Sequence, residues 1–205
     1  MGLVKAKIRK TKTGSGASDD MVGLSAALQA ADPAERRSAA RRLGSTTGCE
    51  AALLDRLAFE HEASVREMLV LSLMQLGTQD AVRGLAEHLR SEDASLRNAV
   101  VEALEAMPDA VAPNIELLLA DHDPDVRIFA CNLLVGLAHP DVPKWLSHVL
   151  ENDSHVNVCA AAVDALTEIG RPDCVPALRA CARRFPEEPF LSFAIDVAIA
   201  RAAEQ

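Results

Sequence analysis

The sequence predicts an all-α chain, a right-handed α-α superhelix of about six stacked helix pairs. Three observations predict it. A short phrase returns along the chain, as in Asp32-Pro33-Ala34-Glu35-Arg36, Val65-Arg66, Leu96-Arg97 and Asp123-Pro124-Asp125-Val126-Arg127. The arginines Arg36, Arg66, Arg97 and Arg127 stand 30, 31 and 30 positions apart. Between them, apolar residues recur three and four apart, the spacing of one buried helical stripe. A fifth copy, Val158-Cys159 to Ile169-Gly170, follows 32 positions later with cysteine in place of arginine.

Each element has its own signals. Asp123-Pro124 reads as N-cap and first helical residue, and Asp93 and Asp153 fill the same capping place in neighbouring repeats. Gly44, Gly77 and Gly170 close helices. The first helix of each pair opens at Asp80, Asp109, Asp141 or Asp173, where a carboxylate meets the positive helix end. These signals predict helices over 21–30, 34–43, 48–60, 64–76, 79–90, 94–107, 110–120, 124–137, 141–151, 155–169, 173–184 and 188–203. Residues 1–20 read as a flexible basic tail and residues 21–205 as the repeat domain.

Composition narrows the function. Nearly half of the residues are apolar, but there are only five Phe, one Trp and no Tyr, which argues against an aromatic platform for bases. The net charge is −9, although Lys5, Lys7, Arg9, Lys10 and Lys12 make the tail basic. An acidic body disfavours broad nucleic-acid binding, which depends on phosphate neutralisation. No run reaches the ~18 apolar residues that suggest a membrane span, and no apolar stretch follows the basic start as in a secretory signal. Five cysteines without a CxxC pair point to buried thiols in a reduced, cytoplasmic protein.

The phrase Asp-Pro-x-Val-Arg, then Ala-x-x-Ala-Leu, then a glycine turn at a period near thirty resembles HEAT-like repeats of the kind seen in phycobilin lyases. The resemblance covers residues 21–203. It implies that the second helices line a concave face that holds a protein partner. It also implies a structural ladder in which Arg66, Arg97 and Arg127 tie inter-repeat turns through Asp93, Asp123 and Asp153. Residues one, five and eight after each anchor would face the groove. These are Arg37 and Arg41; Glu67, Leu71 and Met74; Asn98, Glu102 and Glu105; Ile128, Asn132 and Val135; then Asp164 in the fifth repeat. Apolar Leu71, Met74, Ile128 and Val135 on such a face would mark a contact surface.

No catalytic constellation emerges. A related di-iron hydroxylase, deoxyhypusine hydroxylase, carries His-Glu pairs after the anchor; here those positions hold Glu67-Met68, Asn98-Ala99, Ile128-Phe129 and Ala160-Ala161. His61, His122 and His155 fall at separate turns about 10 Å apart, too far to share one metal. Cys159 is expected nearer the surface than the other thiols. Neither a metal nor a cofactor is expected.

The primary reading is therefore a non-enzymatic scaffold or adaptor, in a bacterial signalling or assembly system, that binds another protein in its groove. The alternative is an accessory subunit or lyase-like factor of a chromophore-modifying system. Against it stand the missing tyrosines and the position of Trp145 on a first helix. A third reading binds nucleic acid through the basic N-terminal end; DNA-repair glycosylases built on HEAT-like repeats suggest it, but they need an aromatic and acidic pocket for the base, and the groove residues here include no aromatic except Phe129. The last helix, around Phe190, Phe193 and Val197, has apolar residues on most sides. The tail or another chain, such as a homodimer partner, is expected to cover it.

Overall fold

The computed structural model describes residues 15–203, with side chains from Asp20 onward. The predicted tail lies outside the described residues as far as position 14. Among the described residues there are six helix pairs and no strand. The first helices are α1 (Ser15–Ala27), α3 (Glu50–Leu57), α5 (Gln79–Glu87), the broken segment α7 (Pro108–Val111) and α8 (Ile115–Leu119), α10 (Val142–Asn152) and α12 (Val175–Arg184). The second helices are α2 (Pro33–Leu43), α4 (Ala63–Leu76), α6 (Ala94–Glu105), α9 (Pro124–Gly136), α11 (Val156–Ile169) and α13 (Pro189–Ala202).

The capping signals act largely as read. Asp32, Asp93 and Asp123 have extended backbone and accept from the amides of Ala34, of Ser95 and Leu96, and of Asp125. Each supplies an acceptor to amides that have no partner inside the helix. Asp153 differs: the turn is longer there, His155 takes the N-cap position of α11, and Asp153 Oδ1 accepts from the His155 amide instead. Gly77 and Gly170 end helices with φ of 60° and 64°, the left-handed region where a side chain is strained. Gly44 ends α2 at an ordinary φ of −60°, so its reason is space, not dihedral freedom.

Three predicted helices are not uniform: the one over 79–90 ends in a 3-10 turn at His88–Arg90, the one over 173–184 opens with one at Pro172–Cys174, and the one over 110–120 is broken inside. Residues 110–120 form α7, a 3-10 turn at Ala112–Asn114, and α8. Pro113 removes a backbone donor at the break, and the Asn114 side chain donates to the Ala110 carbonyl at 3.0 Å. The first helix also begins at Ser15, earlier than the pattern of apolar residues indicated.

The chain divides into two compact units, one through Ser72 and the other from Leu73. In the first unit, α1 packs on α2, and Ser72 Oγ on α4 donates to the Ala40 carbonyl on α2 at 2.9 Å. In the second unit the second helices α6, α9, α11 and α13 pack in succession, while α10 and α12 pack together in the other layer. The core between the layers is aliphatic, with Leu104, Ile115, Leu134, Leu146, Val163 and Leu178 almost fully buried. A core of small and aliphatic side chains lets helices approach closely at native packing density.

Candidate functional site

The anchor residues share one bond. Arg36, Arg97 and Arg127 each donate through Nη1 to the carbonyl six positions earlier, of Ala30, Ser91 and Asp121, at 2.9, 2.5 and 2.8 Å. Cys159 donates its thiol to the Asp153 carbonyl, again six back, at 3.5 Å. The anchor thus fastens its own helix to the preceding turn, whichever residue fills it.

The carboxylates they hold vary. Arg127 grips Asp153 through Nε at 2.7 Å and Nη2 at 3.1 Å. Burial by itself would raise the Asp153 pKa; the bonds from Arg127 and the His155 amide bring it below the usual carboxylate range. The middle rung is built differently from the implied ladder: Asp123 serves as a cap, and Asp121 pairs with Arg90. Arg66 is half-buried on α4, and Asp93 caps α6.

A rung that the sequence reading passed over stands in the first unit. Arg36 reaches Glu60 with Nε at 2.8 Å and Nη2 at 2.9 Å, and Arg56 Nε joins at 2.9 Å. The Glu60 side chain is 1% exposed. Its burial favours the neutral acid, yet the bonds from Arg36, the Glu62 amide and Arg56 together hold its pKa down at about 2. The signal was present: Glu60 follows Arg36 by 24 positions, close to the 26 between Arg127 and Asp153.

The absence of an arginine at 159 is made good from elsewhere. Arg184, on α12, donates to the carbonyls of Leu150 and Asp153, filling the place around the longer turn. Cys159 is not near the surface as expected; it is fully buried and shares a hydrogen bond with Cys181. That bond and burial raise its pKa, and burial pushes the Cys131 thiol up to about 12. All five cysteines are free and buried.

The predicted partner-facing residues divide. Arg37 and Arg41 on α2 are exposed, as are Glu67 and Leu71 on α4. In the second unit Asn98, Glu102 and Glu105 on α6, Asn132 and Val135 on α9, and Asp164 on α11 are exposed. Met74 and Ile128 are only half-buried, partly covered by their neighbours. Leu71 and Val135, at 42% and 46%, are therefore the apolar side chains open to a partner.

Clefts open in the second unit among the described residues. One, about 820 Å³, opens between α8 and α10, with Glu116, Lys144, Trp145 and His148 in its wall. Trp145 is tied down here: its Nε1 donates to Glu116 Oε1 at 3.0 Å and its ring stacks on His139 at 4.8 Å. Another, about 550 Å³, runs beside Val135, His139 and Arg171. A further one, about 430 Å³, lies beside Arg97, Asp125 and Ile128. Among the described residues no three His, Cys, Asp or Glu side chains cluster closely enough to hold a metal ion. Nor is any described helix long and apolar enough to cross a membrane.

The sequence pattern of HEAT repeats matches residues 21–105 and 111–190. The chain belongs to the HEAT repeat family. Its repeats are similar to those of a bilin biosynthesis protein, PecE of Mastigocladus laminosus, at 31% identity over 150 residues, 71% of this chain and 55% of that protein. The PecE protein of a Nostoc species is 28% identical over 148 residues, 70% of this chain and 58% of that one. The chain spans little more than half the length of these curated relatives. An archaeal HEAT-like repeat protein from Thermococcus onnurineus is similar in structure, with 15% identity, a TM-score of 0.49 and coverage of 90% of this chain and 87% of that one. The match to HEAT repeats and the six helix pairs among the described residues bear out the HEAT-like, all-α architecture read from the recurring phrase.

Proposed function

We propose that this HEAT-repeat chain is an accessory protein of a bilin-handling system. It binds another protein through the outward faces of its second helices and brings that protein to the chromophore chemistry, supplying no catalytic group of its own. The observation that carries this reading is the 31% identity to a bilin biosynthesis protein across 150 residues. The comparison supports the chromophore-system alternative more than a general scaffold, and protein binding is common to both.

The geometry is in keeping with an accessory role. The single tryptophan is held between α8 and α10 by Glu116 and His139 and offers no open face to a tetrapyrrole. Contact with a partner falls to Leu71 in one unit and Val135 in the other, each an apolar side chain among polar ones. Arg37 and Arg41 suit an acidic segment through bidentate pairing, while Glu102, Glu105 and Asp164 suit a basic one. With five free thiols we place the protein in the cytoplasm.

The test is affinity capture from the native cell, followed by addition of biliverdin to the captured complex. A partner should co-purify, and the complex should shift the visible absorption of the tetrapyrrole. Leu71→Asp and Val135→Asp should lose the partner while keeping full helicity. A captured complex that leaves the biliverdin spectrum unchanged sinks the bilin reading and leaves the scaffold. Partner retention in both variants moves the interface away from these faces.

A further inference from the structure

Helix α13 has two apolar faces, and only one of them is used. Leu191, Ile195, Ala198 and Ala202 are buried, with α13 packed on α11 and α12. Phe190, Phe193 and Val197 are 88%, 71% and 43% exposed. At about 100° per residue these three share one face of the helix. Two of the five phenylalanines in the chain therefore stand in solvent side by side. Scattered apolar residues on a surface need no explanation, but a stripe of this kind marks a contact.

The pattern of that stripe fits itself. We infer that α13 is the centre of a homodimer interface in which two copies pack α13 against α13 in antiparallel fashion. A two-fold axis beside Phe193 sets that ring against its own copy. It also sets Phe190 opposite the partner's Val197. The same axis brings exposed Glu187 and Glu188, just before the helix, toward the partner's Arg201 in the last turn. The apolar and charged pairings thus call for registers that agree to within three residues, less than one helical turn. A two-fold interface must be self-complementary in this sense, and few arbitrary helix faces are. Charge complementarity also favours the antiparallel arrangement, because a parallel one would align acid with acid. This inference is independent of the bilin reading.

The size of the patch sets the strength. Two phenylalanines of roughly 200 Å² each, largely exposed, with part of Val197, offer on the order of 350 Å² of apolar surface per copy. Stable interfaces bury about 800 Å² per partner. The patch is smaller than that of a standard interface, so the dimer is a weak, concentration-dependent one.

The experiment is sedimentation velocity on the full chain from roughly 1 to 200 μM, a range in which weak self-association is read. The wild type should move from monomer to dimer with concentration. Phe193→Asp should weaken dimerisation at least tenfold with an unchanged circular dichroism spectrum. Arg201→Glu, an exposed change, should weaken it severalfold and reverse its salt dependence, because added salt then screens a repulsion between acidic groups. Adding Glu187→Arg and Glu188→Arg to Arg201→Glu should restore it. A wild type that stays monomeric throughout, including one that pairs instead with a different protein, overturns the inference. So does a dimer that Phe193→Asp leaves intact. A dimer indifferent to Arg201→Glu overturns the antiparallel register.

Discussion

Arg127 holds Asp153 with two parallel hydrogen bonds across 26 positions of sequence, and the same guanidinium reaches back to the Asp121 carbonyl. One side chain thereby joins the turn before its own helix to the turn of the next repeat. The pair is largely buried, with side-chain exposures of 15% and 9%. Removing one partner of such a pair leaves an uncompensated charge. Arg127→Ala should therefore cost about 2 kcal/mol in urea unfolding. Arg97→Ala should cost less than half of that, since Arg97 donates to a carbonyl and Asp123 is used as a cap. Equal losses in the two variants would mean that the ion pair contributes nothing beyond the backbone bond.

A pH dependence follows from Glu60. Its pKa is about 2 in the folded protein, against an ordinary value of 4.5. A carboxylate with a depressed folded pKa binds fewer protons folded than unfolded, so it contributes stability above its unfolded value. That contribution is fully present above pH ~4.5 and is lost as the pH falls toward ~2. With allowance for solvent screening it amounts to about 2 kcal/mol. Asp153 shifts in the same direction and adds to the acid lability. Thermal melts between pH 6 and pH 2.5 should show a smaller fall for Glu60→Gln than for the wild type. Parallel curves would place the acid sensitivity elsewhere.

Gly44 tests the packing of α2 on α4. A Cβ at this position would lie 2.7 Å from Ser72 Cβ and 2.9 Å from Ser72 Cα. Since the φ of Gly44 suits any residue, the penalty for Gly44→Ala is purely one of space. Overpacking of this kind costs about 1–3 kcal/mol. Adding Ser72→Gly removes the opposing Cβ and should recover part of the loss despite its own helix penalty. A stable Gly44→Ala protein would mean that the two helices separate freely at this point.

Much of this was legible in the residues. The caps at Asp93 and Asp123, the left-handed Gly77 and Gly170 and the period of the anchors are local signals that act as read, whereas Asp153 yields its capping place to His155 and Gly44 keeps an ordinary φ. The Arg127–Asp153 pair followed from a family resemblance. The Arg36–Glu60 pair did not, because Glu60 lies in a Glu-His-Glu loop that lacks the aspartate phrase. The broken helix at Pro113 was hidden by apolar spacing that continues through the break. Cys159 lies inside and not near the surface because arginines at the equivalent places are long enough to reach partly into solvent, whereas a short thiol side chain stays beside the Asp153 carbonyl and Cys181.

The sequence by itself determined that the chain is a run of helix pairs, where several of them are capped and which stripe of each goes inside. Those properties are set by residues within one or two helical turns of each other. Tertiary structure decided which carboxylate each arginine holds, that Leu71 and Val135 open to solvent while Met74 and Ile128 are half-covered, and that Phe190 and Phe193 stand free on α13. These outcomes depend on how closely neighbouring helices approach and at what angle, and that is settled by side chains some thirty positions away.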